Sequence, residues 1–584
     1  MRRTPSTLDP AASGPEPSPS APGGDGVDLG GIDPDVYASR WRTLGVLCLS
    51  LTIVMVANMS LNLALPAIAR DLDASTTALQ WMVDAYALVF AGLLFTAGTL
   101  GDRFGRKGAL QAGLVLFLVG AAIAATAQTS GMVVAGRGVM GVAAAFVMPS
   151  TLSIITSVFP PAERGRAIAT WAGVAAGAAA LGPTGSGLLL EHFWWGSVFL
   201  VNMPLVVAAL IAGVRWVPTS RDPDGHPLDV PGALLSIVGV GALVYAIIEA
   251  PAHGWADPVT LAAFAGAAVV LGAFAWRETT ARDPMLDLRL FRDRRFSVAS
   301  GGIALTFFAM FGTFFLSSQF LQLVLGLSPL EAGLLVLPMS AVMLLVAPRV
   351  PRLSARYGVA RVVPLGLGFV ALGLLVLSQL GASSHPLTVW MAIIPMAIGV
   401  AATSAPLTTV LMSAVPSGRA GVGSAMNDTS RELGGALGVA VLGSVLTTRY
   451  GSALDPAVAD LPEQARVAAT SGLAGALRVA GDLGAGGDGL ADAARQAFLD
   501  GFGLAALAAA GLAVVTALAA ARLLPRSKDP DVGAELGGAA LGQPTTEPRD
   551  QLGSRPAIPT TLSSSGASSG TGTTGPNNPA RLSS

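Results

Sequence analysis

Three places in this 584-residue chain put ionisable side chains where they could do chemistry. Asp84 stands in Trp81-Met82-Val83-Asp84-Ala85-Tyr86, just inside an apolar stretch. A carboxyl at such depth is costly to charge, so it is suited to taking up and releasing a proton or to attracting a cation. The plainer reading is an interfacial carboxylate in the first turn of a helix, capping its amides. Arg137 stands about six residues into another apolar stretch. Its guanidinium cannot lose its proton there and must pair or face water; a fixed counter-ion that steadies the helices is the plainer reading. The third place is Asn427-Asp428-Thr429-Ser430-Arg431-Glu432, where helical spacing puts Asp428, Arg431 and Glu432 on one face. Two acids and one base leave one net negative charge, able to hold a proton or a cation. A salt-bridged helix start near the headgroups is the alternative.

These residues belong to a chain that cannot build a water-soluble surface. It is 52% apolar and 12% charged, against roughly 25% charged for soluble domains, and its mean hydropathy is +0.62. Fourteen stretches reach the roughly 20 residues a membrane span needs: 44–68, 81–100, 109–128, 132–157, 167–190, 198–217, 232–251, 258–276, 297–324, 331–350, 362–380, 387–411, 422–447 and 498–523. Residues 1–40 and 526–584 are rich in Pro, Gly and Ser and cannot bury enough apolar surface to order themselves. Arg2 and Arg3 precede no apolar run, so no cleavable leader is expected. With both tails cytoplasmic, only Arg70, Arg449, Arg466, Arg478 and Arg495 of the 35 basic residues fall on the outer side, with Arg137 and Arg431 inside spans. That bias fixes an even span count with both ends inside and a long outer loop over 449–497.

A weak internal repeat divides the chain. Gly98-Thr99-Leu100-Gly101-Asp102-Arg103-Phe104-Gly105-Arg106-Lys107 follows the second span, and Leu353-Ser354-Ala355-Arg356-Tyr357-Gly358 follows the tenth. The expected architecture is all-α and membrane-integral: a six-helix bundle over 41–217, an inserted two-helix hairpin over 218–296, and a second six-helix bundle over 297–525. Two pseudo-symmetric bundles about a midplane site are a transporter layout. Asp102 can cap the following helix while the basic residues of the first motif pair with carboxylates or lipid headgroups; such pairs can latch one conformation and release another, and a plain positive-inside anchor is the alternative. Gly173, Gly177, Gly182 and Pro183 put small residues along the fifth span, a seam for close packing. Phe307, Phe308, Phe311, Phe314, Phe315 and Phe320 enrich the ninth span, as core, lipid-facing surface or the wall of an apolar cavity.

The motifs resemble the fourteen-helix drug:proton antiporter branch of the major facilitator superfamily over about residues 41–525. Gly98 to Lys107 matches that superfamily's loop pattern at every fixed position, which implies that Gly98, Asp102, Arg103, Gly105, Arg106 and Lys107 act as a conformational latch. Arg137-Gly138-Val139-Met140-Gly141 resembles the fourth-helix motif, with Met140 in place of Gln. Gly182, Pro183 and Gly187 resemble the fifth-helix antiporter motif, with Ser186 in place of Gly. Asp283-Pro284-Met285-Leu286-Asp287 and Leu63-Ala64-Leu65-Pro66 also resemble this branch. One departure matters: Ala57, followed by Asn58, stands where the branch carries a first-helix Asp. The resemblance implies that Arg137 takes part in proton coupling by biasing a nearby carboxylate. With no first-helix acid, Asp84 is the nearest candidate by topology, and Asp428 and Glu432 are its rivals.

The expected function is export of amphipathic, cationic small molecules in exchange for protons, by a monomer in the inner membrane, with Asp84 and Asp428 as substrate contacts. Export of an endogenous antibiotic, metabolite or lipid, and a non-transporting sensor or scaffold, are the alternatives. No enzyme activity is expected, since no nucleophile–base pair stands out. Cys48 is alone and His192, His226, His253 and His385 lie apart, so no metal or disulfide is expected. Net charge of −1 gives no reason to expect nucleic acid. No phosphate-binding G-x-x-x-x-G-K-[ST] loop occurs, so an ion gradient must supply the energy; one charge crossing 100 mV yields about 2.3 kcal/mol, which sustains an approximately fifty-fold gradient.

Overall fold

The computed structural model describes residues 32–220, 229–281, 284, 286–415 and 420–524. All regular structure among them is helical. The first bundle comprises α1 (Pro34–Asp71), α2 (Thr76–Phe104), α3 (Arg106–Ala125), α4 (Ser130–Val158), α5 (Pro161–His192), α6 (Ser197–Leu200) and α7 (Asn202–Trp216). The hairpin is α8 (Val230–His253) and α9 (Pro258–Thr280). The second bundle comprises α10 (Arg294–Gln319), α11 (Pro329–Val346), α12 (Val350–Tyr357), α13 (Val359–Leu377), α14 (Pro386–Ser413), α15 (Ala420–Val458), α16 (Glu463–Thr470), α17 (Leu473–Asp482) and α18 (Asp488–Leu523). Among the described residues, thirteen helical stretches are long and apolar enough to cross a membrane, α6 with α7 forming one of them. The 32-residue α5 makes the fourteenth crossing. Exposed apolar side chains such as Ile211, Leu234, Val269 and Leu344 cover the outer surface, as lipid contact requires.

Local chemistry sets the helix starts. Ser75 and Thr129 accept amide hydrogen bonds at the beginnings of α2 and α4, and Ser328 with Glu331 forms a capping box at α11. Proline occupies the first turn of α1, α5, α8, α9 and α11, where its missing N–H costs nothing.

The sequence repeat is visible in three dimensions. Gly105 (φ 122°) and Gly358 (φ 82°) each end the second crossing of a bundle and begin the next helix, in a region open to glycine. Arg103 lies 5.5 Å over Phe104, and Arg356 lies 5.3 Å over Tyr357. Each bundle also packs its third and fourth crossings through a glycine pair. A Cβ at Gly136 would stand 2.8 Å from the Gly120 carbonyl oxygen, and one at Gly399 would stand 2.4 Å from that of Gly366.

Three boundaries move from the sequence expectation. α1 begins at Pro34, inside the tail expected to lack order. α2 begins at Thr76 rather than near residue 81, because polar Thr76, Thr77 and Gln80 lower the hydropathy of helical residues. The 449–497 segment is helical over most of its length: α15 runs on to Val458, α16 and α17 follow, and α18 begins at Asp488. The tails expected at 1–40 and 526–584 lie almost wholly outside the described residues, apart from the start of α1.

The bundles meet mainly towards the face opposite the ends of the chain. α2 packs on α15, α5 on α11, and α8 on both α2 and α15. Towards that far face, the Gln322 Nε2 donates to the Leu63 carbonyl oxygen at 2.9 Å. The Thr76 amide donates to Ser471 O at 3.0 Å, and Arg478 pairs with Asp73. Towards the terminal face, Gly173 and Gly177 of α5 meet nothing within 4 Å among the described residues, while Phe104, Leu345 and Tyr357 are exposed. The printed contacts across the seam cluster towards the far face.

Candidate functional site

Arg137 is the largest fully buried side chain among the described residues. Its Nε donates to the Met82 carbonyl oxygen at 3.0 Å, and Nη2 donates to Asn58 Oδ1 at 3.2 Å. The guanidinium lies 4.3 Å over the Tyr86 ring, an attraction that desolvation strengthens. The position beside Ala57 thus answers the arginine, with an amide oxygen rather than a carboxylate. Across the seam, Glu432 of α15 lies within electrostatic reach of Arg137 and Tyr86.

Asp84 is fully buried, and neither carboxyl oxygen has a hydrogen-bond partner. It stands eight residues after Thr76, two turns beyond the helix start that Ser75 caps, so it does not cap α2. Nor does it meet Arg137. At about 100° per residue, Met82 and Tyr86 point roughly 160° away from Asp84. Gln80 and Trp81 flank it instead. Gln80 Nε2 donates to the carbonyls of Val439 and Ala440 in α15 at 3.2 and 3.0 Å, and Trp81 Nε1 donates to Glu249 Oε1 in α8 at 3.3 Å. Asp84 therefore faces the junction of the first bundle, the second bundle and the hairpin. A lone buried carboxyl at such a junction is a place to hold a proton or a cation.

Asp428 lies 3.9 Å from Arg431 Nη1 and accepts from Asn427 Nδ2 at 3.3 Å. Asn427 Oδ1 in turn accepts from Thr408 of α14 at 2.8 Å, and Arg431 lies 4.7 Å over Phe307. Asp428 is eight residues and Glu432 twelve residues into α15, roughly 12 and 18 Å from its start at a rise of about 1.5 Å per residue. Neither acid therefore stands in the first turn of the described α15.

The loop motif anchors within its own bundle. The Arg106 amide donates to Ser220 O at 2.9 Å, and Lys107 Nζ donates to Val214 O at 2.8 Å. Gly98 and Gly101 let α2 approach Pro149 and Ser150 of α4. Arg103 is exposed; the side chain of Asp102 falls outside the described residues. The antiporter motif lies on the seam. A Cβ at Gly182 would stand 3.3 Å from that of Met59 in α1, and one at Gly187 would stand 2.7 Å from the Pro329 carbonyl oxygen. The Pro183 carbonyl lies 2.8 Å from the Cβ position of Gly333.

A cleft of about 40 Å³ opens between the bundles beside this motif, lined by Met59, Asn62, Phe314, Ser318, Met339 and Met396 among others. It holds about three waters at about 10–15 Å³ each, far below the roughly 300 Å³ of a drug site, and no acid lines it. Of the ninth-span aromatics, Phe314 faces this cleft, whereas Phe320 is buried and stacks on Phe502 at 5.0 Å. Among the described residues no cluster suited to a metal occurs.

Sequence reasoning assigns no role to Asn58, Tyr86 or Gln80, and reads Glu249, near a span end, as interfacial. Only Asn58 carried a signal, as the polar neighbour of the departed acid.

Comparison with known proteins shows the family. The Major Facilitator Superfamily model matches residues 47–439. The multidrug efflux pump LfrA of Mycolicibacterium smegmatis is 38% identical over 82% of this chain and 95% of its own. The tetracenomycin C resistance and export protein of Streptomyces glaucescens is 32% identical over 84% and 92%. Among solved structures, a bacterial homologue of the lysosomal transporter Spinster, inward-facing and unoccupied, superposes with a TM-score of 0.57 at 18% identity, covering 82% of this chain and 97% of that one. Its likeness concerns the fold. With two six-crossing bundles, an inserted hairpin and this sequence match, the chain belongs to the major facilitator superfamily.

Proposed function

We propose that this membrane protein exports amphipathic, cationic small molecules in exchange for protons. The observation that carries the reading is Asp84, a fully buried carboxyl without a hydrogen-bond partner at the junction where both bundles meet the hairpin. A proton and a cationic drug neutralise the same charge, so binding one displaces the other. Arg137, held by Met82 and Asn58, balances Glu432 across the seam, and Asp428 supplies a second acid opposite. The names of the relatives support drug export as the cargo class. The terminal face is cytoplasmic, and this conformation admits substrate from the cytoplasm or the inner leaflet. The loop motif and the α5–α11 contact are the latch and the seam on which the bundles rock. The chain works as a monomer in the inner membrane, uses no cofactor and catalyses no reaction.

A second reading has one specific support: a relative is named for exporting a single antibiotic. On that reading the cargo is one endogenous product. Both readings are tested with the purified chain in proteoliposomes containing a pH-sensitive dye. Adding structurally unrelated organic cations should each drive proton movement that a protonophore abolishes. Proton movement with none of a broad panel would set multidrug exchange aside, and a response to one compound alone would favour the second reading.

A further inference from the structure

At the terminal-face base of the hairpin, outside the transport site, two acids come together. Asp229 precedes α8 and Glu278 lies near the end of α9; they are 8% and 3% exposed. Asp229 Oδ1 is satisfied. It accepts from the Gly232 amide at 3.0 Å and from Arg277 Nη2 at 3.0 Å. Glu278 Oε2 is also satisfied, by the Leu286 amide at 2.7 Å. The other two oxygens, Asp229 Oδ2 and Glu278 Oε1, are buried without a donor. They converge on Gly232, each 2.6 Å from where a Cβ would stand, and the two side chains are within hydrogen-bonding reach. Any larger residue at 232 would fill the space they share.

Two bare carboxylate oxygens do not sit together in a buried place without a donor between them. Arg277 cancels one of the two charges, which leaves one negative charge and two unsatisfied acceptors. A single proton resolves both deficits, as O–H on one carboxyl donating to the other. A metal ion fits poorly, since hard cations take six or more oxygens and only these two are free here. The charged groups around Glu278 are Asp229 from α8 and Arg277 from α9. The short 3-10 helix Leu288–Arg292, packed on α9, brings Arg289 and Arg292, with Asp287 at its start.

We propose that Asp229 and Glu278 share one proton and form a clasp that fastens the linker into the second bundle, through the Leu286 amide, to the base of the hairpin. The site binds a proton that is separate from those exchanged for substrate, and it faces the compartment that holds the chain termini. When the shared proton leaves, the adjacent charges repel and the clasp weakens, so the hairpin base senses pH on that side.

The sign follows from linkage. The native pair keeps a proton that the unfolded carboxyls release above about pH 4.5, so the native state loses relative stability as pH rises, up to tenfold in the unfolding equilibrium per pH unit for one proton. The test is equilibrium unfolding of the full-length purified chain in detergent micelles between pH 5 and 8. It compares wild type with Glu278→Gln, which keeps the acceptor for Leu286 and supplies a permanent donor to Asp229. The ratio of the two unfolding constants should rise with pH at wild type's expense. Asp229→Asn, which keeps the Oδ1 acceptor, should remove the same slope. Infrared difference spectra at neutral pH should show a protonated carboxyl band in wild type that Glu278→Gln lacks. A ratio that stays flat across the range, or no lost band, overturns the proposal. So does a wild-type stability that tracks sodium or potassium concentration at fixed pH, since the occupant is then a metal cation.

Discussion

If Arg137 and Glu432 balance each other across the seam, they must be energetically coupled. The perturbations are Arg137→Gln, Glu432→Gln and the double variant. Removing the guanidinium leaves Asn58 Oδ1 without its donor, takes from Met82 O the donor it has beside its helix amide, and leaves Glu432 buried with less compensation. Breaking a buried pair from one side costs about 3–5 kcal/mol. Opposite charges about 4–8 Å apart, at an effective dielectric of about 20, attract by about 2–4 kcal/mol, and that part is lost only once. The double variant should therefore be about 2–4 kcal/mol less destabilised than the sum of the singles. Equilibrium unfolding in mixed micelles measures the cycle, and Arg137→Gln paired with a distant control such as Glu163→Gln gives the baseline. Additivity within about 0.5 kcal/mol, the scatter expected of independent sites, would refute the pairing across the seam.

Three further outcomes follow. Gly399→Val should destabilise the second bundle by about 1–3 kcal/mol, the usual cost of overpacking, because its Cβ would meet the Gly366 carbonyl oxygen at 2.4 Å; Gly173→Ala, with open space around it, should stay near wild type in thermal unfolding. Arg40 beside Glu163, at 2.7 Å, and the Tyr37 hydroxyl hold the Glu163 carboxyl below the usual carboxylate range. Its stabilisation is thus present above about pH 4.5 and lost as pH falls below that. Wild type should exceed Glu163→Gln by up to about 1 kcal/mol at pH 7, and the difference should vanish in acid titration of unfolding. Tags placed at the two ends should both be cytoplasmic and a tag in 449–497 accessible from outside intact cells, as a protease-protection assay will show.

The crossings were legible because membrane spans declare themselves by length and apolarity alone, and the glycines at 105 and 358 marked the repeat. What hydropathy cannot report is rotation about a helix axis. Moving the start of α2 from 81 to 76 takes Asp84 from the first turn to the third, and the wheel then turns it towards α8 and α15 and away from Arg137. Chain order pairs those two; packing instead gives the arginine to Met82, Asn58 and Tyr86. The α16–α17 segment was read as loop because its helices are too short and too charged for a span search. Its apolar stripe of Leu473, Ala476, Val479 and Ala480, all buried, was nevertheless present at helical spacing. The clasp of Asp229 and Glu278 joins residues about fifty positions apart, and no local pattern announces it.

Asp84 carries the central claim, and pH-gradient-driven efflux from everted vesicles tests it most directly. Mono- and dicationic dyes are compared in wild type, Asp84→Asn and Asp428→Asn. Asp84→Asn should abolish export of dications, which need the most negative charge, and spare part of monocation export through the α15 acids. Export of both dye classes by Asp84→Asn at the wild-type rate would contradict the account and leave this carboxyl without a part in coupling.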